Sequence, residues 1–269
     1  MTAGTSVVRR AFEVLGAFDA RASRLTLSQL VAHTGLPKTT VHRVALELVA
    51  LGALERRNGG YALGSRLFEL GQLVPRHRRL RDAALPYMHD LFAFTRETVQ
   101  LAVLEDLDVV HVEVLRARRR IGITSRGGRL PFHCTAPGKA MVAFSSRDVV
   151  ARALASRLDP GTPRTIVDPD ALRRELARIR RAGVAFDRGE CERRLVCVAA
   201  PITNADGLAI AAVAVSMSHR SHTRLDRVGT AVVRAAGAIS NDLSARPPQP
   251  SDRAMAARAR ANAPRSPYS

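Results

Sequence analysis

The sequence predicts an α+β protein with two domains, the first mainly helical and the second containing an antiparallel sheet. Three observations lead to this prediction. Apolar residues recur at helical spacing through most of the first 50 residues. The dipeptide Asn58-Gly59 then separates two short alternating segments, which is a strong hairpin signal. From residue 99 onward, strand-like runs joined by hairpin turns lie between helical segments, as in α+β folds and unlike a parallel doubly wound sheet.

The composition is that of a globular chain with ample core for one large or two smaller domains. Of its 269 residues, 46% are hydrophobic and 25% are charged, which is ordinary for a soluble protein. Apolar runs are too short to cross a bilayer, and the N-terminus lacks the features of a secretory signal. Three cysteines, at positions 134, 191 and 197, fit no disulfide scaffold and indicate a reducing cytoplasm.

The formal net charge of +18 favours an acidic partner, and nucleic acid is the common one. The excess amounts to +7 in residues 1–79, +7 in residues 80–245 and +4 in the remaining tail. Because it is spread along the chain and is almost entirely arginine, an arginine-rich composition alone would produce the same total. The total charge therefore does not identify the partner, and only the location of basic residues on the predicted elements can indicate it.

Helical patterns cover the first 50 residues in three segments. Residues 6–18 form an amphipathic pattern with the apolar residues Val8, Phe12, Leu15 and Phe18. A second helix follows, capped by Thr26 or Ser28, and ends at Thr34-Gly35, where glycine can adopt the left-handed conformation. A third helix begins near Pro37 and is stopped by Gly52, with one apolar stripe formed by Val41, Val44, Ala45 and Leu48.

Two short helices joined by a tight glycine turn predict a helix-turn-helix. The second of these helices keeps its stripe on the core and presents a polar side, formed by Lys38, Thr39, Thr40, His42 and Arg43. Such a helix fits the DNA major groove, where its first turns contact base edges and phosphates. The hairpin that follows is in the position of a wing, with Arg56 and Arg57 placed to contact the DNA backbone. A solvated polar face with an ordinary hairpin is the alternative, but the combined order favours DNA binding.

The second domain alternates helical and strand-like segments. A helix is predicted over residues 80–96, and Val99–Leu104 and Val109–Leu115 form a hairpin around the turn at residues 105–108. The charge run Arg116–Arg120 is typical of a solvated connection, and Ile121–Thr124 is a candidate short strand. Further strands are predicted over residues 184–187, 196–202 and 208–217, with helices over residues 171–181 and 225–243. The Pro-, Ala-, Ser- and Arg-rich tail from Arg246 is predicted to be disordered.

Longer motifs carry a family resemblance across residues 6–243. The stretches TLSQLVAHTGLPKTTVHRVALELVALGALERRNGGYALG and SRLFELGQLV, followed by GRLPFHCTAPGKA and LVCVAAPITNADGLAIAAVAVS, resemble the IclR family of bacterial transcription regulators. The resemblance implies a winged helix-turn-helix DNA-binding domain over residues 5–64 and a linker helix over residues 65–79, in which the spacing of Leu67, Leu70 and Val74 forms an apolar stripe and a candidate dimer seam. It also implies a GAF-like effector-binding domain over residues 80–245, before the disordered tail at 246–269.

The same resemblance implies a pocket for a small effector, often an organic acid, in the second domain. By position, the family's pocket residues correspond to Leu130, Ala136, Pro137, Asp187, Cys197, Ala214 and Ser216. Independently of the family, the glycine- and proline-rich loop 128–137 leads to a helix start at Gly138, whose free amides favour an anion. Pro137 lacks an N–H and Ala214 lacks a hydroxyl, so both weaken that cradle. Asp187 either orients a ligand hydroxyl or caps the loop after its strand.

Catalysis and metal binding have weaker sequence support. Cys134 beside His133 raises the possibility of a nucleophile and its base, but adjacent residues need not face each other and no hydrolase signature is present. A metal site built from the cysteines with His219 and His222 has no C-x-x-C or H-x-x-x-H spacing. We therefore expect no catalytic residues, no metal and no cofactor.

These observations predict a ligand-responsive regulator whose partners are double-stranded operator DNA, a small effector and a second copy of itself. The protein is expected in the cytoplasm, without membrane association, as a dimer or a dimer of dimers. One alternative is a DNA-binding architectural protein whose second domain only oligomerises. The other is a cysteine hydrolase that uses its first domain only for assembly.

Overall fold

A computed structural model describes residues 6–18, 22–117 and 128–245. The chain divides into two compact units, with the boundary between Arg78 and Arg79. The predictions for residues 118–124 and for the tail from Arg246 lie outside the described residues. Within the described ranges, every helix is too short or too polar to span a bilayer.

The first unit contains a three-helix core and a small antiparallel sheet in the order β1-β3-β2. Its elements are α1 (Val7–Gly16), β1 (Arg24–Leu25), α2 (Leu27–Thr34), α3 (Lys38–Ala50), β2 (Leu54–Arg57), β3 (Gly60–Leu63) and α4 (Ser65–Gln72). The predicted helix-turn-helix and hairpin are both present, and only β1 lacks a counterpart in the sequence predictions.

Local side-chain chemistry sets the limits of these elements. Thr26 and Gln29 form a capping box at the start of α2, in which the Thr26 hydroxyl accepts from the Gln29 amide and the Gln29 side chain accepts from the Thr26 amide. Gly35 ends α2 with φ of +67°, as the left-handed turn requires. Asn58 and Gly59 both have positive φ, +44° and +77°, which is the geometry of a tight two-residue hairpin turn.

The buried side of α1 differs from the predicted stripe. Val14 is fully buried, with Ala11 and Leu15 packed beside it, whereas Val8 and Phe12 are 64% and 71% exposed. The helix itself is where the sequence predicts it, but its core side is centred on residues 11, 14, 15 and 18. That spacing of three and four residues holds one face toward the core, and it leaves Phe12 on the flank.

The second unit is built around one six-stranded sheet. Its elements are α5 (Pro75–Thr95), β4 (Thr98–Glu105), β5 (Asp108–Leu115), β6 (Arg129–Pro131), α6 (Ala136–Ala143), α7 (Arg147–Ala155), α8 (Pro169–Ala182), β7 (Ala185–Asp187), β8 (Leu195–Thr203), β9 (Ala209–Ser218), a 3₁₀ turn (His219–Arg224) and α9 (Leu225–Ala245). Pro75 begins α5, five residues before the predicted start, because proline suits a first helical position. The sequence does not predict α7 or the 3₁₀ turn, and it places β6 within the loop 128–137.

All neighbouring strands of this sheet are antiparallel, in the order β6-β5-β4-β9-β8-β7, which confirms the α+β prediction. The two faces carry different cores. Large aliphatic residues such as Val196 and Val198 pack with α5 and α9, whereas their strand neighbours Cys197 and Ala199 pack with α6 and α8. The period-two alternation of each strand thus separates an aliphatic face from a face of small residues.

Close approach of α6 to the sheet depends on small side chains. Every residue of α6 is buried, and Ala199, Ala212 and Ala214 lie in the same core as its alanines. Gly138 makes the tightest contact, because a Cβ at this position would lie 2.4 Å from both the Cα and the carbonyl oxygen of Phe132. The backbone of the preceding turn therefore leaves no room for a side chain.

We expect Gly138→Ala to lower the free energy of unfolding by at least about 2 kcal/mol, because the new methyl group overlaps backbone that cannot move aside easily. Gly237→Ala is the matched control, since Gly237 is an exposed residue of α9 with open space around its Cα. That change should stabilise the helix by about 0.5–1 kcal/mol. Denaturant unfolding followed by circular dichroism measures both, and equal effects would contradict the packing described for α6.

Candidate nucleic-acid surface and ligand cavity

Helix α3 has one buried side and one polar side. Val41, Val44, Ala45 and Leu48 are buried in the first core. The opposite side is formed by the residues predicted to contact DNA: Lys38, Thr39, His42 and Arg43 are exposed, and Thr40 is half-buried. The structure therefore brings all five to one helix, with four of them on its free surface.

The hairpin β2–β3 presents the two predicted arginines. Arg56 and Arg57 are both exposed. The guanidinium of Arg56 lies 5.8 Å from the centre of the Tyr61 ring, and Arg57 Nε is 2.8 Å from Glu55 Oε1. Both guanidinium groups thus lie on the exposed surface of the hairpin, one over an aromatic ring and the other beside a carboxylate.

A cavity of about 40 Å³ lies on the small-residue side of the large sheet. Six of the seven predicted effector residues line it: Leu130, Ala136, Pro137, Asp187, Cys197 and Ser216. The seventh, Ala214, is fully buried in the core that contains Ala136 and Ala140 and is not among the lining residues. Ala214 shares a sheet face with Ser216, but it contributes to that core and does not line the cavity.

Six further residues line the cavity and were missed from the sequence: Gln100, His111, Thr135, Cys191, Glu192 and Leu195. Two of them could have been found. Gln100 interrupts the apolar strand β4, and His111 occupies a buried position in the alternation of β5. A polar side chain at an inward strand position is a signal for a polar cavity. The cysteine and glutamate lie in a turn, where no periodicity marks the inward side.

Gln100, His111 and Ser216 form a buried hydrogen-bonded chain. Gln100 Nε2 donates to Ser216 Oγ over 3.0 Å, and Gln100 Oε1 lies 3.2 Å from His111 Nε2. Burial lowers the pKa of His111, so the ring is neutral near pH 7. Because the Ser216 oxygen accepts from Gln100, its own hydrogen can be donated to another group at the cavity wall, where the Cys197 sulfur is already a neighbouring acceptor.

Asp187 is buried beside a second carboxylate. Its Oδ1 accepts from the amides of Gly189 and Glu190 over 3.0 and 2.6 Å, so it does cap the turn after β7, one of the two roles predicted for it. Burial, reinforced by the nearby Glu190 carboxylate, raises the pKa of Asp187 to about 7. The side chain is therefore close to half protonated at neutral pH, and it can either donate or accept at the cavity wall.

Lys139 and Glu190 form a buried ion pair next to Asp187. The side chain of Lys139 is fully buried, and its Nζ lies 2.6 and 2.5 Å from the two carboxylate oxygens of Glu190. This pair joins α6 to the turn between β7 and β8. The ion pair satisfies the ammonium group of Lys139. Lys139 is not among the residues that line the cavity.

The start of α6 differs from its prediction. The helix begins at Ala136, two residues before Gly138, and Thr135 is its cap. The Gly138 amide donates to the Thr135 hydroxyl over 3.2 Å, and Pro137 has no N–H. The helix start therefore does not provide the free amide at Gly138 on which an anion cradle was predicted.

His133 and Cys134, the pair considered as a base and a nucleophile, contact different partners. His133 Nε2 lies 2.9 Å from the carbonyl oxygen of Asp159, whereas Cys134 Sγ contacts the carbonyl oxygen of Pro131 at 3.6 Å. This arrangement gives no support to a cysteine hydrolase. Over the described ranges, no group of three or more His, Cys, Asp and Glu side chains is arranged to hold a metal ion.

The chain matches two family models and many known regulators. Residues 7–58 match the IclR helix-turn-helix domain, and residues 72–241 match the C-terminal domain of bacterial IclR transcriptional regulators. The chain is 34% identical over 218 residues to the HTH-type transcriptional regulator Rv1719 of Mycobacterium tuberculosis, covering 80% of this chain and 82% of that protein. It is 32% identical over 213 residues to the regulator XynR of Escherichia coli, covering 78% and 84%.

A solved structure provides the ligand-bound comparison. An IclR homologue from Microbacterium hydrocarbonoxydans, crystallised with 4-hydroxybenzoate, superposes with a TM-score of 0.80 at 34% identity. The match covers 88% of this chain and 99% of that one.

The raised pKa of Asp187 predicts a pH-dependent stability. An acid with a higher pKa in the folded state than in the unfolded chain adds to the free energy of unfolding while it is protonated. This contribution is complete below the unfolded pKa of 3.8, and it is lost as pH rises through the folded pKa of about 7. Asp187→Asn keeps an oxygen for the Gly189 and Glu190 amides but cannot ionise. Between pH 5 and 8, the free energy of unfolding of the native protein should fall relative to this variant by about 2–3 kcal/mol. Urea unfolding measures it, and a pH-independent difference would contradict the assignment.

Proposed function

Because the chain belongs to the IclR family of bacterial transcriptional regulators, we propose that α3 and the β2–β3 hairpin bind operator DNA. We also propose that a small organic monoacid in the cavity of the second unit alters that binding. A regulator of this kind acts in the cytoplasm, where it reaches its operator.

The division of α3 into two sides is the observation on which the DNA-binding proposal depends. A helix whose stripe is anchored in the core presents its other side as a rigid surface, and that side carries Lys38, Thr39, His42 and Arg43. Lysine and arginine contact phosphates or guanine edges, and threonine contacts phosphate or a thymine methyl group. The arginines of the hairpin supply contacts to the DNA backbone.

The nature of the ligand follows from the charges around the cavity. None of its lining residues within the described part of the chain is lysine or arginine, and two of them, Asp187 and Glu192, are acidic. A diacid would place two negative charges against these carboxyl groups. A monoacid can be held by donors, namely the Ser216 hydroxyl and the protonated form of Asp187. The homologue crystallised with 4-hydroxybenzoate supports a ligand of this class.

The cavity has to widen to admit such a ligand. A volume of about 40 Å³ holds on the order of three water molecules, which is less than an aromatic acid needs. Leu130, in the short edge strand β6, lies on one side of the cavity, and the turn after β7 lies on the other. Ligand binding therefore selects a wider form of the second unit, and DNA affinity changes by as much as the ligand prefers that form.

We propose that the protein acts as a dimer or a dimer of dimers. Val8 and Phe12 on α1 form an exposed apolar pair, and Leu70 and Val74 of the predicted linker stripe are also exposed. The third member of that stripe, Leu67, instead packs against the first core. Exposed apolar side chains next to one another are typical of a surface that a partner covers, and a symmetric dimer doubles the length of DNA that is read.

The two alternatives have less support. A purely architectural protein would not need a cavity lined by oriented polar side chains, and none of the observed contacts favours a hydrolase. Absence of any ligand effect on DNA binding would nevertheless favour the architectural role.

Removing a contact of α3 should weaken operator binding. We expect Arg43→Ala and Lys38→Ala each to cost about 1–3 kcal/mol against the DNA upstream of the protein's own gene. Arg181→Ala is the charge-matched control, because Arg181 is exposed in the last turn of α8 in the second unit. Fluorescence anisotropy gives the affinities, and light scattering of the same complexes gives the number of chains per operator. Equal losses in the control, or one chain per operator, would contradict the proposal.

The ligand proposal predicts a pH-dependent affinity for 4-hydroxybenzoate. Ionised Asp187 repels the ligand carboxylate, so affinity should fall about fivefold from pH 7 to pH 8 in the native protein and stay constant in Asp187→Asn. Ser216→Ala should lower affinity about tenfold or more, since a hydrogen bond to a charged group is lost. Ser244→Ala, on α9, is the hydroxyl control. Calorimetry measures each.

A neutral ligand of the same shape tests whether the cavity recognises the carboxylate or only the aromatic ring. We expect 4-hydroxybenzamide to bind more weakly than the acid at pH 6, with no pH dependence. Equal binding of the two compounds would show that the carboxylate is not recognised. If Ser244→Ala loses as much binding as Ser216→Ala, the assignment of the ligand site to the cavity at Ser216 is wrong.

A further inference from the structure

Two of the three cysteines of the chain line the ligand cavity, and the third is the sequence neighbour of a lining residue. Cys191 and Cys197 line it, and Cys134 precedes Thr135, which also lines it. We propose that Cys134 and Cys191 form an oxidisable dithiol, and that peroxide converts it to a disulfide that keeps the cavity from admitting its ligand. The second part rests on the proposed ligand site, and the first part does not.

The two thiols lie on segments that an ion pair holds together. Lys139, on the helix that follows Cys134, pairs with Glu190, the neighbour of Cys191. Each thiol affects the pKa of the other, and both are free thiols in the structure. Cys134 Sγ donates to the Pro131 carbonyl oxygen over 3.6 Å. Cys197 is in a different situation, because it lies within strand β8 and is fully buried between β7 and β9.

The electrostatics of the pair support this assignment. The hydrogen bond from Cys191 lowers the pKa of Cys134, and the same contact raises the pKa of Cys191. Burial raises the pKa of Cys197 to about 12. The thiolate is the reactive form toward peroxide, so the cysteine in the pair reacts before the isolated one.

The reaction balances with hydrogen peroxide as the only oxidant. One thiolate attacks a peroxide oxygen, the O–O bond breaks, and a sulfenic acid and hydroxide form. The second thiol then attacks the sulfenic sulfur, the S–O bond breaks, and water leaves as the disulfide forms. The two sulfur atoms lose two electrons, and the peroxide gains them.

Such a bond would join two walls of the cavity. Cys134 belongs to the turn before α6, and Cys191 belongs to the turn between β7 and β8. The Lys139–Glu190 ion pair already links these same segments at one point, and a disulfide would add a covalent link beside it. Since the cavity must widen to hold an aromatic acid, a bond between its walls opposes binding.

Peptide mapping after peroxide treatment of the full chain tests the dithiol. Trypsin separates the three cysteines into the peptides 130–139, 189–193 and 195–220. We expect an oxidised mass lower by two hydrogen atoms, with peptides 130–139 and 189–193 linked and peptide 195–220 free. Reduction should restore the separate peptides. In Cys191→Ser, a change at a half-exposed position, the link should be absent while circular dichroism stays unchanged.

The outcomes separate the two parts of the proposal. Absence of the linked peptides, or a link that includes peptide 195–220 in their place, would overturn the dithiol. Peroxide treatment that forms the link should lower the affinity of the native protein for 4-hydroxybenzoate at least tenfold, whereas Cys191→Ser should have the same affinity before and after treatment. If the disulfide-linked protein binds 4-hydroxybenzoate as tightly as the reduced protein does, the claim that the disulfide prevents ligand binding is wrong. Reduced protein that does not bind it would contradict the proposed ligand class, while the peptide map still decides the dithiol.

Discussion

A buried positive charge constrains the whole ligand-binding half of the molecule. Lys139 lies in a helix whose every residue is buried, and an ammonium group without a partner there would cost several kcal/mol. Glu190 must therefore reach it, which fixes the turn after β7 against α6. Asp187 then holds that turn through two amides, and its carboxyl group faces the cavity because its backbone is fixed. The position of the cavity wall thus follows from the need to neutralise one lysine.

The sequence predicts well those features that are encoded locally. The capping box at Thr26, the left-handed glycine at Gly35 and the Asn58-Gly59 turn each depend on residues within a few positions of one another. They place α2, α3 and the hairpin correctly, and with them the polar side of α3. The longer strands of the second unit are also found, because they are apolar runs bounded by turn residues, whereas the three-residue β6 falls in a predicted loop.

The remaining features depend on distant parts of the chain. Lys139 and Glu190 are 51 positions apart, so neither residue type nor spacing predicts that they pair. Cys134 and Cys191 meet for the same reason, since they lie on the two segments that this pair joins. Ala214 shares a sheet face with Ser216, but the alternation of a strand does not tell which part of that face a helix covers. The prediction for α1 was incomplete for a related reason. The sequence gives the helix and its apolar residues, but not which side of the helix faces the core.

One face of the large sheet packs the main aliphatic core, and the other face carries the cavity. This separation affects how the protein can evolve. The aliphatic residues that α5 and α9 cover hold the fold together, whereas the polar groups that meet the cavity project from alternate positions of the same strands or from neighbouring turns. Substitutions at Gln100, His111 or Ser216 can alter what the cavity accepts without removing an aliphatic contact on the other face. A lineage can therefore acquire a new chemical signal through a few strand positions while keeping its scaffold and its DNA target.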